Sequence, residues 1–229
     1  MKKKILLVVA HPDDETLGCG GLISSYSKKG FKFKTLVLGE GTSCRYKKNS
    51  KETEIQKKIL EREKGCKRAL KILGAEKVTF KNLPCGRFDS VSIIDIAKIV
   101  EKEISNFDPD TVITHSNTDV NNDHRLSFQA VLQATRPAIN NTVSTVLSFE
   151  VLSSTERNFS NNFSPNYFIK LDKRDLEKKK KALKCYKTEY SNFPFPRSLK
   201  ALEVLANYRG LQCGNEYAEA FKIIRSIHN

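Results

Sequence analysis

Two short stretches concentrate the residues that can do chemistry. Ala10-His11-Pro12-Asp13-Asp14-Glu15 packs an imidazole and three carboxylates into six positions, and His115 is followed by Asp119, Asn121, Asn122, Asp123 and His124. Three of the four histidines lie in these stretches; the fourth, His228, sits in the tail and is expected to be inert. Three adjacent acidic side chains repel one another unless a cation or solvent relieves them, which turns a histidine two residues away into a ligand candidate. If the stretches meet in space, His11, Asp14 and His124 offer nitrogen and oxygen donors to one ion. That set suits zinc with a position left open for water, although iron or cobalt fits it too. The reaction implied is metal-assisted hydrolysis.

Each stretch lies where a strand is expected to end. Ile5 to Ala10 is an unbroken apolar run rich in β-branched residues, as in a central parallel strand buried on both faces. Behind it come a helix at about Thr16–Lys29, a strand at Phe31–Leu38, a helix at Lys51–Leu73 closed by Gly74, and a strand at Val78–Phe80. A helix at Val91–Asn106, a strand at Thr111–Thr114 and a helix at Asp123–Thr135 follow. Alternation of this kind predicts a single-domain α/β fold, a Rossmann-like doubly wound sheet, mostly parallel. Residues 1–136 form its core. Residues 137–229 are expected to extend the same domain with strands at Thr142–Leu152 and Tyr167–Leu171, helices at Arg174–Tyr190 and Ser198–Tyr208, and a segment Ala218–Ile227 that reads as either. In such sheets ligands bind beyond the C-terminal ends of the strands, where both stretches fall.

Composition narrows the setting. Forty basic residues against 26 acidic ones leave a net charge of +14. The lysines are scattered, with local runs at Lys2 to Lys4, Lys47–Lys48 and Lys178–Lys181, so a solvated surface is the better reading than a nucleic-acid face, which would cluster basic and aromatic residues. The run at 178–181 reads as one exposed helix face. None of the six cysteines forms a C-x-x-C pair, against zinc knuckles and thioredoxin-like redox chemistry. Cys19, beside Gly18, Gly20 and Gly21, reads as a small buried filler. The apolar run after Lys2 to Lys4 is too short for an export signal, and no apolar stretch is long enough to span a bilayer. A cytoplasmic protein with reduced thiols is expected.

The string Ala-His-Pro-Asp-Asp-Glu with Leu17-Gly18-Cys19-Gly20-Gly21, joined to Asn121-Asn122-Asp123-His124-Arg125, resembles the LmbE/PIG-L family of zinc-dependent N-acetyl-sugar deacetylases. The likeness continues through Gly41–Arg45, Arg62 with the helix closing at Leu73-Gly74, Phe149–Glu156, Pro194–Ser198 and Ala218–Phe221. The resemblance implies one zinc held by His11, Asp14 and His124, with Asp13 as the general base that removes a proton from water and returns one to the leaving amine. The substrate implied is a 2-acetamido sugar, free, glycosylated or nucleotide-linked. The partner is thus a small amino sugar, in some cases phosphorylated, and not nucleic acid or a membrane; a homo-oligomer is compatible with the chain.

Other residues carry two readings each. Asp123 either orients an imidazole or caps the following helix, or does both. His115 is a group behind the ligands or at the substrate mouth, or a polar residue ending a strand. Arg45, Arg62, Glu150 and Arg197 either touch substrate hydroxyls or phosphates, or pair at the surface. The chain departs from the family pattern twice: Asn121 stands where many members carry a histidine credited with oxyanion stabilisation, and Phe195 replaces the histidine of Pro-His-Pro-Arg-Ser. These changes motivate competing readings as a metal-containing sugar-binding module without turnover, or an amidase acting on a related N-acyl glycoside.

Overall fold

The computed structural model describes residues 3–47, 49–137 and 142–227; Lys2, Lys48 and His228 lie outside them. The apolar run forms β1 (Lys4–Val9), whose side chains divide between two cores. Ile5, Leu7 and Val9 enter one, and Leu6, Val8 and Ala10 the other, as the two-residue period of a strand requires. Burial on both faces explains why this strand carries no polar alternation.

The remaining elements are α1 (Asp14–Ser27), β2 (Lys32–Gly39), α2 (Glu52–Leu73), β3 (Lys77–Leu83), α3 (Ile93–Phe107), β4 (Thr111–His115) and α4 (Asn122–Ala134). They are followed by β5 (Thr145–Phe149), β6 (Tyr167–Leu171), α5 (Lys173–Leu183), α6 (Leu199–Gln212) and β7 (Tyr217–Ser226). The strands form one sheet in the order β3-β2-β1-β4-β5-β7-β6. Its pairs are parallel except where β7 runs antiparallel to both β5 and β6. Residues of α1, α2, α5 and α6 fill the core on one face, and those of α3 and α4 the core on the other. The fold is therefore the mostly parallel, doubly wound α/β sheet expected. Among the described residues no helix is long and apolar enough to cross a membrane.

Strand order reverses between β1 and β4, because the chain builds outward through β2 and β3 on one side and through β5 on the other. At such a point the loops beyond the C-terminal ends diverge and leave a crevice. His11 follows β1 and His115 ends β4, so both stretches open onto it.

Helix α1 reaches the sheet through Gly18: a Cβ there would lie 2.1 Å from the Phe149 ring of β5. Helix α2 ends as expected at Gly74, whose φ of 94° is a left-handed cap and whose N–H bonds the Leu70 carbonyl.

Two expectations change and one open reading is resolved. The helix expected to run to Tyr190 stops at Leu183, and turns follow. The apolar spacing continues through Tyr186, but Tyr186 leaves the helix to donate its hydroxyl to the buried Glu15 carboxylate. The segment open to either reading, Ala218–Ile227, belongs to β7 as far as Ser226, a strand inserted between β5 and β6. The lysine run is not wholly an exposed face: Lys179 is buried and pairs with Glu219 at 2.7 Å, whose carboxylate also accepts from the Gly21 and Leu22 amides.

Candidate active site

The loop from β1 to α1 is short and tightly held. His11 donates its backbone N–H to Asp14 Oδ2 at 2.8 Å, and Asp13 donates its own to Glu15 Oε2 at 3.1 Å. Asp13 has a φ of 127°, a conformation that costs a non-glycine residue energy and is typical of functional turns. The Asp14 carboxylate then faces three imidazoles: Oδ2 lies 3.4 Å from His115 Nε2, 3.5 Å from His124 Nε2 and 3.7 Å from His11 Nδ1.

The other nitrogen of each flanking histidine is already engaged. His11 Nε2 lies 2.9 Å from Asp123 Oδ2, and His124 Nδ1 lies 3.0 Å from Asp119 Oδ2. Each carboxylate fixes its ring and leaves one nitrogen turned toward Asp14. Donor atoms of His11, Asp14 and His124 lie within 4.8 Å of one another, all on buried residues, at separations mostly too long for good hydrogen bonds. This arrangement fits a divalent cation. Two overlapping groups, His11-Cys85-Asp123 and His115-Asp119-His124, meet the same distance limit. In each of these a histidine nitrogen already pairs with a carboxylate of the same group, His11 Nε2 with Asp123 and His124 Nδ1 with Asp119, whereas in the trio around Asp14 both imidazole nitrogens stand 3.5 Å or more from the carboxylate.

His115 sits on the floor of the site and not at its mouth. It is fully enclosed, stacks on His124 with ring centroids 3.9 Å apart, and accepts the Ala10 N–H at Nε2 over 2.9 Å. Burial, and after it the charge of His124, pushes its pKa down to about 4, so it remains neutral. It ends β4, lies behind the Asp14 carboxylate and is not among the residues lining the cavity above it.

The carboxylates differ in electrostatic situation. Burial alone would raise Asp14, but the imidazoles of His124, His115 and His11 override it and hold the group well below the usual carboxylate range. Burial pushes Asp13 up to about 8, against the pull of the Arg62 guanidinium and with the push of Asp14 and Glu189. Asp13 Oδ1 lies 3.2 Å from Arg62 Nη2. A cation beside Asp14 would draw Asp13 down, toward the ionised form a base needs.

A cavity of about 180 Å³ opens over these groups, walled by the loops after β1, β2, β3 and β4 and by the turns after β5 and α5. Three of its arginines converge on one carboxylate. Arg45 forms a bidentate pair with Glu189 at 2.7 and 2.8 Å, Arg62 Nε lies 3.6 Å from it, and Arg197 Nη2 lies 3.7 Å away. Arg62, on α2, also donates to the Pro12 carbonyl at 2.7 Å and to that of Gly41, whose φ of 70° turns the loop toward it. Arg197 donates to the Glu189 carbonyl and the Ser153 hydroxyl and stacks over Phe195 at 5.0 Å, so Phe195 braces an arginine of the cavity wall. These cations hold Glu189 down at about 2 although burial opposes them.

Glu150 does not join this cavity. It pairs bidentately with Arg209 of α6 at 2.7 Å and lines a separate small void, the pairing alternative of its two readings. Asp123 takes the orienting role, also accepting the Gly86 and Phe88 amides at 2.6 and 3.2 Å. The cap on α4 belongs instead to Asn121, whose side-chain oxygen accepts from Asp123 N at 3.0 Å. Asn121 lines the cavity with its amide nitrogen as the group left to offer.

Sequence reasoning passed over two contributors. Asp119 was visible in the second stretch but carried no role; it binds His124 and accepts the Ser154 and Thr155 hydroxyls at 2.9 and 2.6 Å. Glu189 lay inside a segment read as helix, with no local signal that three distant arginines would meet there.

Comparison with known proteins adds to this geometry. The family described as PIG-L: GlcNAc-PI de-N-acetylase matches residues 6–135, which carry all of His11, Asp13, Asp14 and His124. The chain is 28% identical over 192 residues to the "Uncharacterized deacetylase YaiS" of Escherichia coli strain K12, covering 82% of this chain and 92% of that protein. It is 25% identical over 234 residues to the diacetylchitobiose deacetylase of Thermococcus kodakarensis, covering 98% and 84% respectively. The crystal structure of the N,N'-diacetylchitobiose deacetylase of Pyrococcus horikoshii superimposes with a TM-score of 0.77 at 20% identity, covering 97% of this chain and 84% of that one.

Proposed function

The chain belongs to the PIG-L (GlcNAc-PI de-N-acetylase) family, and from that premise we propose that it is a zinc-dependent hydrolase removing the acetyl group from the nitrogen of a 2-acetamido sugar. The observation that carries this reading is the meeting of His11, Asp14 and His124 in one buried trio, each histidine fixed by its own carboxylate, with Asp13 beside them in the same cavity.

When bound by His11, Asp14 and His124, zinc supplies Lewis acidity, polarising the acetamide carbonyl and acidifying a water. Asp13 takes a proton from the attacking water and passes one to the departing amine nitrogen, giving acetate and the free amino sugar. Arg62 holds the Asp13 carboxylate in place and favours its charged form. Asn121 lines the cavity, and in this reading its amide nitrogen donates to the developing oxyanion, as amide donors can. His115 supports the ligands from beneath, and Asp119 and Asp123 set the tautomers of His124 and His11.

The arginines bear on the sugar. Arg45, Arg62 and Arg197 are tied to Glu189, so a phosphate on the substrate would have to compete with that carboxylate for Arg45. A neutral acetamido sugar, free or glycosidically linked, is therefore the substrate class we favour over a sugar phosphate. Acetate release from N-acetylglucosamine, N,N'-diacetylchitobiose and their phosphorylated or nucleotide-linked counterparts tests the reading. Release from the neutral sugars supports it, and silence across the panel from protein carrying stoichiometric zinc counts against it. The same panel separates it from a binding module without turnover, in which calorimetry detects sugar but no acetate appears.

A further inference from the structure

Two thiols in the cavity wall, one of them 3.9 Å from His11 Nε2, have no part in the reaction proposed above. Cys44, in the turn after β2, and Cys85, in the loop after β3, are 41 residues apart in sequence, yet their sulfurs lie 3.0 Å from each other. No C-x-x-C spacing announces them. Parallel pairing of β2 with β3 puts the loops beyond their C-terminal ends side by side. Glu40 then clasps both loops, its carboxylate accepting the Ser43 N–H at 2.9 Å, the Cys85 N–H at 2.8 Å and the Thr42 N–H. The absence of a side chain at Gly86 lets Cys44 approach: a Cβ there would lie 3.3 Å from Cys44 Cβ.

The two thiols differ in access. Cys44 is exposed, whereas Cys85 is buried beneath it. Contact with the Cys85 thiol, and after it the Arg45 charge, favours the Cys44 thiolate and brings it to about 7, while burial opposes. Cys19 and Cys66 are buried with thiols pushed well up, and burial raises Cys185. Among the described residues no other pair of cysteine sulfurs is in hydrogen-bonding contact.

We propose that Cys44 and Cys85 form a modification site, a dithiol that hydroperoxides convert to an intramolecular disulfide in the wall of the cavity. The Cys44 thiolate attacks one peroxide oxygen, breaking the O–O bond and giving a sulfenic acid and, after protonation, one water. Cys85 sulfur then attacks the sulfenic sulfur, forming the S–S bond; its proton leaves with the departing hydroxide as a second water. Two thiols lose two electrons, and one hydrogen peroxide is reduced to two waters. Closing the sulfurs from 3.0 Å to a bond of about 2.05 Å needs a shift of roughly 1 Å. The bond ties the Cys44 loop to the loop whose Gly86 N–H holds Asp123, the partner of His11.

The test treats the zinc-loaded protein with hydrogen peroxide and follows free thiols and peptide masses, a readout independent of any acetate assay. The expected result is loss of two of the six thiols, a peptide cross-linking Cys44 to Cys85, and recovery of both thiols with dithiothreitol. Cys85→Ser should stop at a Cys44 sulfenic acid, trapped as a dimedone adduct, and Cys44→Ser should leave Cys85 reduced. Retention of all six thiols, preferential oxidation of Cys185 or Cys213, or over-oxidation of Cys44 without the cross-link would each overturn the proposal.

Discussion

The Asp123 carboxylate holds the imidazole of His11 at 2.9 Å across 112 residues of sequence, joining the loop after β1 to the first turn of α4. The same carboxylate accepts the Gly86 and Phe88 amides. One side chain thus orients a candidate ligand and anchors a third loop of the cavity.

Asp123→Asn is expected to weaken zinc binding by roughly 10- to 100-fold, because the amide can no longer set the His11 tautomer as a charged acceptor does. Asp119→Asn should act in the same direction through His124. Competition with a zinc chelator of known affinity checks both; wild-type retention in both variants would remove the orienting role.

Loss of either imidazole should be more severe. His11→Ala and His124→Ala are each expected to abolish stoichiometric zinc in elemental analysis, whereas His115→Ala, which removes a group behind the ligands, should weaken binding without abolishing it. Full zinc occupancy in the His11 variant would contradict the ligand set.

Glu189 gives a prediction in pH. Its pKa in the folded chain is about 2, below the value of about 4.3 for an unfolded glutamate. The stability it contributes is therefore complete above the unfolded value and is lost as pH falls through the folded one. Glu189→Gln strands three arginine charges and should cost about 2–3 kcal/mol near neutrality, less than for a wholly enclosed cluster because Arg45 is half exposed. Urea unfolding of both proteins should show this gap shrinking between about pH 5 and pH 2. A gap independent of pH would refute it.

Gly18 tests the packing of α1 on the sheet. Gly18→Ala drives a methyl into the Phe149 ring and should destabilise the protein by about 1–3 kcal/mol, with Phe149→Leu partly restoring the melting temperature. An unchanged melting temperature in Gly18→Ala would show that the contact relaxes freely.

What could be read in advance follows from how local each signal is. The β1 run and the His11-Pro12-Asp13-Asp14 turn are contiguous, and burial on two faces leaves an unmistakable apolar block, so strand, loop and sheet type were legible together. The meeting with His124 was legible because both stretches end strands of one parallel sheet. By contrast β7 is half buried and rich in alanine, a pattern that suits either element until a neighbour is known. Glu189 and the Cys44–Cys85 contact depend on which loops the strand order places side by side. Glu150 carried two readings, substrate contact or pairing, because its partner, Arg209, lies on a helix far along the chain.

The central claim is that Asp13 is the base of a hydrolytic site built on His11, Asp14 and His124. It is tested most directly by measuring zinc content and acetate release together on wild-type protein and Asp13→Ala, with N,N'-diacetylchitobiose as substrate. The account predicts stoichiometric zinc in both, acetate from the wild type, and release slower by roughly two to four orders of magnitude in the variant. Equal acetate release by the two proteins, or none from a fully zinc-loaded wild type, would contradict it.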